Sequence, residues 1–264
     1  MKRQKVSLTI LKMKFNSMKK IFYVFILAVL PFLSFGNKQL MADYYYSKGQ
    51  YKEAAADYQK IVDEGYQSVA LYFNLGNAYY KLDDIPSALL YYEKAHRLAP
   101  NDDDINYNIR FANSKTTDKI DEAPTFFLAN WWKAFILSFS VGTLSVLSII
   151  LVLLASTILV VYFFTGSVAI KKSSFYGSIA LFLLGIIIVF MAIMQTDYFT
   201  SHRQAIVFSN SSTVKSGPVD KSNTLFVIHD GTKVDILDNT NGWMKIRLAN
   251  GNEGWINGGD VKEI

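Results

Sequence analysis

The sequence predicts a multidomain membrane protein: an all-α helical-repeat array, two transmembrane helices and a small all-β barrel at the C-terminal end. Three observations predict it. The apolar residues, 51% of 264, concentrate in three blocks, Ile21 to Phe35, Ala134 to Phe164 and Phe175 to Met194. The stretch between the first two blocks repeats itself at about 34 residues. The last stretch, from Ala205 to Ile264, alternates apolar and polar positions between glycine-containing turns.

Charge narrows the classes of function. The formal net charge is +5, but seven of the 27 basic residues, Lys2, Arg3, Lys5, Lys12, Lys14, Lys19 and Lys20, precede the first apolar block without any acid. The remaining 20 face 22 acidic residues, a net of −2. The main support for nucleic-acid binding is thereby lost, and no nucleic acid is expected as partner. Cysteine is absent, so disulfides, thiolate metal sites and a nucleophilic thiol are excluded.

Met18-Lys19-Lys20 before Ile21 to Phe35 supplies the charged and apolar regions of a secretory signal, with Ser34 and Gly36 as small residues at a cleavage point. Residues 1–36 are therefore read as a signal peptide cleaved after Gly36, with Met18 as an alternative start. The apolar run is shorter than the roughly 20 residues a spanning helix needs. Retention as an uncleaved anchor is the alternative.

Residues 37–120 hold the repeat. Ala70 to Pro100 reads ALYFNLGNAYYKLDDIPSALLYYEKAHRLAP, with Tyr72, Leu75, Gly76 and Tyr79 on a first helix and Ala88, Tyr92, Ala95 and Pro100 along a second. Gly76 and Ala88 are small where two helices must touch, and Pro86 fits a first helical turn, where a missing N–H costs nothing. This is the tetratricopeptide pattern. One repeat length earlier lie Ala42 and Tyr45, then Ala54, Tyr58 and Ile61, in a weaker copy. One repeat length later, Asn106, Ile109 and Arg110 fall on a closing helix. Two repeats and a cap result, and Asn101 to Asp104 reads as a helix N-cap rather than a metal cluster.

Stacked repeats line a concave groove with their first helices. In this register the groove positions, the candidate partner-binding residues, are Asp43, Tyr46, Phe73, Asn77, Tyr80, Lys81, Tyr107 and Phe111. Two readings of the rings stand: an aromatic peptide groove, or packing between repeats.

Residues 121–133 form a linker and interfacial segment, where Trp131, Trp132 and Lys133 suit headgroup depth. Residues 134–164 and 175–196 are the two expected transmembrane helices; burial as core helices of a soluble domain is the alternative. The first run, at about 1.5 Å per residue, exceeds a hydrocarbon core of about 30 Å and must tilt or begin in the interface. Between them, residues 165–174 carry Lys171 and Lys172 without an acid, which places that loop in the cytoplasm. Both large modules then face the periplasm, from an anchor in the inner membrane.

In residues 205–264, Val234 and Ile236 alternate with polar neighbours, as do Met244, Ile246 and Leu248. Asn250-Gly251 reads as a two-residue hairpin turn in which both residues take positive φ. Five or so strands make a small barrel. The pairs Gly242-Trp243 and Gly254-Trp255 within LFVIHDGTKVDIL and NGWMKIRLANGNEGWI resemble bacterial Src-homology-three domains. That resemblance implies a module for peptidoglycan or proline-rich peptides, with Trp243 and Trp255 as candidate ligand contacts; sealing of the barrel by the indoles is the other reading.

Chemistry for catalysis is not apparent. His96, His202 and His229 stand apart, none with a second ligand at metal-binding spacing, and neither a phosphate-binding glycine loop nor a nucleophile elbow occurs. No catalytic residue, metal or cofactor is expected, and the chain is expected not to be an enzyme.

The order of signal peptide, repeats, a DKID segment, two spans and a barrel, with AIVFSNSSTVKSGP and LFVIHDGTKV, resembles the BatE-type proteins of the Bacteroides aerotolerance operon. The resemblance extends over the whole mature chain. It implies partnership with von Willebrand-A-domain membrane proteins, indirectly with a MoxR-type ATPase, and a link to oxidative-stress tolerance. Two functions follow as expectations: an adaptor that assembles a membrane complex, or a tether or sensor whose barrel grips peptidoglycan.

Overall fold

Small and aromatic residues at helical spacing, then uninterrupted apolar runs, then alternating strands dictate three kinds of structure in that order. The computed structural model describes residues 39–121, 131 and 134–264. The expected signal peptide, the Met18 start and most of the 121–133 linker lie outside the described residues. The chain divides into two units, Met1–Tyr66 and Gln67–Ile264, each described by itself.

In the first unit, residues 39–47 form helix α1, and Tyr51–Asp63 form α2. Ala42, Ala54, Tyr58 and Ile61 are buried between them. The Tyr58 hydroxyl donates to the Asp43 carboxylate across the pair.

The second unit opens with α3 (Val69–Lys81) and α4 (Ile85–Leu98). Ser68 caps α3, accepting from Leu71 N–H at 3.1 Å, and Asp84 caps α4, accepting from Ser87 N–H at 3.1 Å. Pro86 lies in the first turn of α4. The closeness of the two helices is set by Gly76: a Cβ there would sit 2.6 Å from the Tyr92 ring. Helix α5 (Asp103–Asn113) follows, capped by Asp102, which accepts from the N–H groups of Asp104 and Ile105, both at 3.1 Å.

Two long apolar helices come next, α6 (Val141–Phe164) of 24 residues and α7 (Val168–Ser201) of 34. Each is long enough to cross a membrane, and only 22% and 11% of their apolar windows are buried. A core helix of a soluble domain would be mostly covered; these are not. Their hydroxyls fold back on their own helix, as Ser145 does to Val141 O and Thr157 to Leu153 O, both at 2.8 Å, so they demand nothing polar of their surroundings. The helices pack along one seam. Leu144, Ser148 and Ala155 are buried on α6, and Ser174, Ser178, Gly185, Ile188 and Gln195 on α7. Steps of four and seven on α6, and of four, seven, three and seven on α7, fit the 3.5-residue period expected of a left-handed pair, and the small residues let the backbones approach. A Cβ at Gly185 would already touch Val152 at 3.4 Å.

Two boundaries differ from expectation. Residues 134–164 are not one helix: the chain turns at 137–140 and Ser140 begins α6 as its cap, accepting from Thr143 N–H at 3.1 Å. Gln195, fully buried on α7, donates at 3.0 Å to the Phe139 carbonyl that the break would leave open. The expected loop 165–174 shrinks to 165–167, and Lys171 and Lys172 lie within the first two turns of α7. Charged residues can continue a helix beyond an apolar stretch, so composition overestimates the loop and shortens the second helix from 168–201 to 175–196.

The C-terminal part has seven strands rather than five: β1 (Gln204–Val207), β2 (Ser212–Lys215), β3 (Thr224–Ile228), β4 (Lys233–Thr240), β5 (Trp243–Arg247), β6 (Glu253–Asn257) and β7 (Val261–Glu263). They form one antiparallel sheet in the order β3-β2-β6-β5-β4-β1-β7. Val207, Val214, Ile228, Val234, Ile246, Ile256 and Val261 share its core, one from each strand. The two-residue positive-φ turn is at Asn241-Gly242, with φ of 52° and 81° between the paired Thr240 and Trp243. At Asn250-Gly251 only Gly251 has positive φ, 90°. There Gly251 N–H donates to Leu248 O and Leu248 N–H to Asn252 O, both at 2.9 Å, a three-residue loop with a glycine bulge in place of the expected two-residue one.

Candidate partner-binding site

The groove positions separate into those used internally and those left open. In the first unit, Asp43 is engaged by Tyr58, and the Tyr46 ring lies 5.2 Å from that of Tyr51. Burial, then the neighbouring Tyr51, raises the Tyr46 hydroxyl above the ordinary tyrosine range.

In the second unit, Asn77 joins three helices: its side-chain oxygen accepts from the Tyr92 hydroxyl at 2.7 Å and from the Asn108 amide at 2.9 Å. Phe73 packs 6.0 Å from the Tyr92 ring. Both readings of the aromatics therefore apply, to different rings. Tyr107 and Phe111, one turn apart on α5, are 58% and 48% exposed and stack 6.0 Å apart. Tyr80 of α3 reaches Phe111 at 5.5 Å, and Lys115 sits 4.5 Å above the Tyr80 ring while pairing with Asp83 at 3.2 Å. Lys81 is exposed on the last turn of α3. The result is an open aromatic face, Tyr80, Tyr107 and Phe111, rimmed by lysine.

On the sheet, Trp243 and Trp255 are half-buried and outside the core. They alternate with the inward Met244, Ile246, Gly254 and Ile256, and the pairings Trp243 with Asn257 and Lys245 with Trp255 make them diagonal neighbours on the outer face. Lys215, opposite Trp255, has its ammonium 5.5 Å from the Trp243 ring. Exposed Leu225 and Val227 continue this face on β3. Gly254 is glycine because β2 lies against it: a Cβ would meet Val214 at 2.4 Å and the Lys215 carbonyl at 3.0 Å.

What sequence reasoning missed is the join between repeat and sheet. After α5, Lys119 donates to the carbonyls of Asn113, Ser114 and Thr116 at 2.9, 3.0 and 2.7 Å, closing the end of that helix. Asp118 turns the other way and accepts from His229 N–H at 2.7 Å and the Thr232 hydroxyl at 2.8 Å, with His229 Nδ1 at 2.9 Å. Burial opposes ionisation of Asp118, but the hydrogen bonds from His229 and Thr232 together outweigh it and hold the carboxyl below the ordinary aspartate range. Ile120 packs on the sheet's core. Lys233 pairs with buried Glu93 of α4 at 2.7 Å. Arg97 of α4 donates to the Phe199 carbonyl at 2.9 Å and to that of Ile264. The only sequence sign of this latch is an aspartate just after the closing helix, in DKID.

Residues 40–103 match the tetratricopeptide repeat family model, and residues 210–262 match that of the bacterial SH3 domain. Both are kinds of module through which proteins bind one another, and the second also serves in cell-wall binding. No curated protein matches the chain. Among solved structures it is similar to the C-terminal SH3 domain of myosin IB from Entamoeba histolytica, at 30% identity over 24% of this chain and 93% of that one, with a TM-score of 0.18. The same domain bound to a peptide matches at 30% identity and the same TM-score, 0.18. An NlpC/P60 family protein from Bacillus cereus matches at 17% identity over 27% of this chain and 23% of that one, with a TM-score of 0.21.

Proposed function

We propose that the chain is a non-enzymatic scaffold or adaptor, anchored by α6 and α7 in the inner membrane with repeats and sheet in the periplasm. The observation that carries this is the latch. Asp118, Lys233 and Arg97 hold the second repeat against the sheet and against the end of α7, so both soluble parts meet at one end of the apolar hairpin. A hairpin that returns the chain to its starting side is what that arrangement requires. The aromatic face of Tyr80, Tyr107 and Phe111 is then the docking surface for a partner segment, since aromatic anchors dominate such interfaces.

The resemblance to the BatE-type proteins supplies the finer reading: partners with von Willebrand-A domains, an indirect link to a MoxR-type ATPase, and a role in aerotolerance. The test is co-purification from gently solubilised membranes. The parent chain is expected to bring down stoichiometric membrane proteins, and Tyr107→Ala with Phe111→Ala to lose them while retaining native circular dichroism. Unchanged recovery by that variant refutes the docking surface.

A second reading is favoured by the outward placement of Trp243 and Trp255 beside Lys215. In it the sheet grips peptidoglycan and the chain is a wall tether or envelope sensor. Recovery only with the wall sacculus, abolished by Trp255→Ala, is the outcome that selects it over the adaptor.

A further inference from the structure

Where α4 meets the outer end of the apolar hairpin there is a cavity of about 450 Å³ with both apolar and basic lining. Val141 of α6 and Phe199 of α7 contribute apolar lining. From α4 come Lys94 and Arg97, neighbours along one face, beside Leu98. Lys262 of β7 lies close enough to add a third positive charge.

No side-chain carboxylate among the described residues pairs with these cations. The acids adjoining them in sequence are committed elsewhere, Glu93 to Lys233 and Glu263 to Arg203. Lys94 rests instead 5.5 Å from the Tyr91 ring, and Lys262 4.0 Å from that of Phe208. Burial, then repulsion from Arg97 and Lys262, holds the Lys94 ammonium below the ordinary lysine range. Arg97 already donates to the oxygens of Phe199 and Ile264, both of which line the cavity, so Lys94 and Lys262 are the charges left for an anion. The first turn of α6 begins at the same wall, with Val141, and presents the positive end of its dipole.

Position chooses among anions. The exposed apolar surface of the hairpin starts within two turns of the cavity, at Val146, Leu147 and Ile149. An occupant fixed by its charge at Lys94 can thus run an apolar tail down α6 and α7. We propose that the cavity binds the phosphate of an anionic phospholipid, whose acyl chains lie along the hairpin. This rests on reading α6 and α7 as membrane spans. A free phosphate would satisfy the cations but leave the apolar wall without a role.

The test uses the full chain with Lys171→Gln and Lys172→Gln as parent, which removes the basic pair near the start of α7. Native mass spectrometry from mild detergent, with equal phosphatidylglycerol and phosphatidylcholine added, reads the lipid retained. The parent is expected to retain phosphatidylglycerol about tenfold over phosphatidylcholine. Removal of each cation is expected to lower that preference about fivefold, so Lys94→Gln with Lys262→Gln abolishes it. Arg97 is spared because it also holds Phe199. Should the double variant lose its circular dichroism spectrum, Lys94→Gln alone carries the test. Equal retention of the two lipids by the parent overturns the proposal. So does an undiminished preference in the folded variant, or displacement of phosphatidylglycerol by millimolar inorganic phosphate, which would mark a site for the phosphate alone. Alkaline carbonate extraction separates the premise from the proposal. A chain released by carbonate refutes the spans, whereas a resistant chain without lipid preference refutes only the lipid site.

Discussion

Asp118→Ala should open the latch without unfolding what it joins. The substitution removes three polar contacts at once, from His229 N–H, His229 Nδ1 and the Thr232 hydroxyl. A typical net contribution is about 1 kcal/mol each, and the Asp118 side chain is only 18% exposed, so water replaces it incompletely. A loss of about 2–4 kcal/mol follows. At about 1.4 kcal/mol per tenfold, that is a rise of roughly 30-fold to 1000-fold in the open population. Amide hydrogen exchange of the full chain in detergent, read by mass spectrometry, resolves it. Peptides covering 114–121 and 229–232 should exchange faster by that factor, while those of α3 and α6 keep their protection. Unchanged exchange at 229–232 would refute the latch; uniform acceleration through β4 to β6 would show that Asp118 supports the sheet's fold instead. The pH dependence has a definite sign. Because the folded carboxyl titrates below the ordinary aspartate value of 3.8, its contribution is complete above that value and is lost as pH falls through the folded pKa. Exchange at 229–232 in the parent should therefore rise on acidification below that value, and should not in Asp118→Ala.

Other outcomes follow from packing and charge. Gly76→Ala places a Cβ 2.6 Å from the Tyr92 ring, which is 1% exposed and cannot yield; a cost of about 1–3 kcal/mol is expected, measured by thermal unfolding of the helices. Gly242→Ala forces a side chain to a φ of 81° and should cost about 1–2 kcal/mol, whereas Asn250→Ala, without positive φ, should cost less; chemical denaturation of the sheet ranks the two. Lys233→Ala strands the Glu93 carboxylate, whose side chain is 6% exposed, while Glu93→Gln leaves a lysine that is 33% exposed. The first should be the more destabilising, toward the upper end of about 3–5 kcal/mol and softened by the lysine's own exposure, and a reversed order in thermal unfolding would count against the pair being buried as described.

The repeats were legible because their determinants are local. Gly76, Ala88 and Pro86 lie within one repeat, and each has a single steric reason that the helices of that repeat satisfy. The turns were legible only by kind. Two Asn-Gly pairs occur in the sheet, and nothing inside either dipeptide says which one closes a two-residue turn. The strand pairing decides, placing Thr240 opposite Trp243 but leaving three residues between Leu248 and Asn252. The ends of α6 and α7 were misread because apolarity reports what can face lipid, while a helix ends where a cap replaces its backbone bonds, at Ser140, or runs on through Lys171 and Lys172 where none does. The aromatic face was half legible: period placed Phe73, Asn77, Tyr80, Tyr107 and Phe111 together, but not the bonds that occupy Asn77 and leave Tyr107 open. The latch could not be seen, since Asp118 and His229 stand 111 residues apart with both apolar helices between them.

That separation gives the latch its meaning. Asp118 precedes the hairpin and His229 follows it, so their bond closes a loop through two helices whose own seam is held mainly by small residues and dispersion. Apolar contact alone, such as Ile120 on the sheet's core, would tolerate a slide of the repeat across the sheet; three acceptor bonds of fixed direction, a buried ion pair and a guanidinium bridging Phe199 and Ile264 do not. Directional polar contacts are poor sources of net stability when buried but good at fixing one register. The second repeat, the sheet and the C-terminal end of α7 are therefore set in one arrangement, with Asp118 fixed to the turn between β3 and β4. The proposed adaptor would need that rigidity between its docking face and its second module; a pair of independently tethered domains would not.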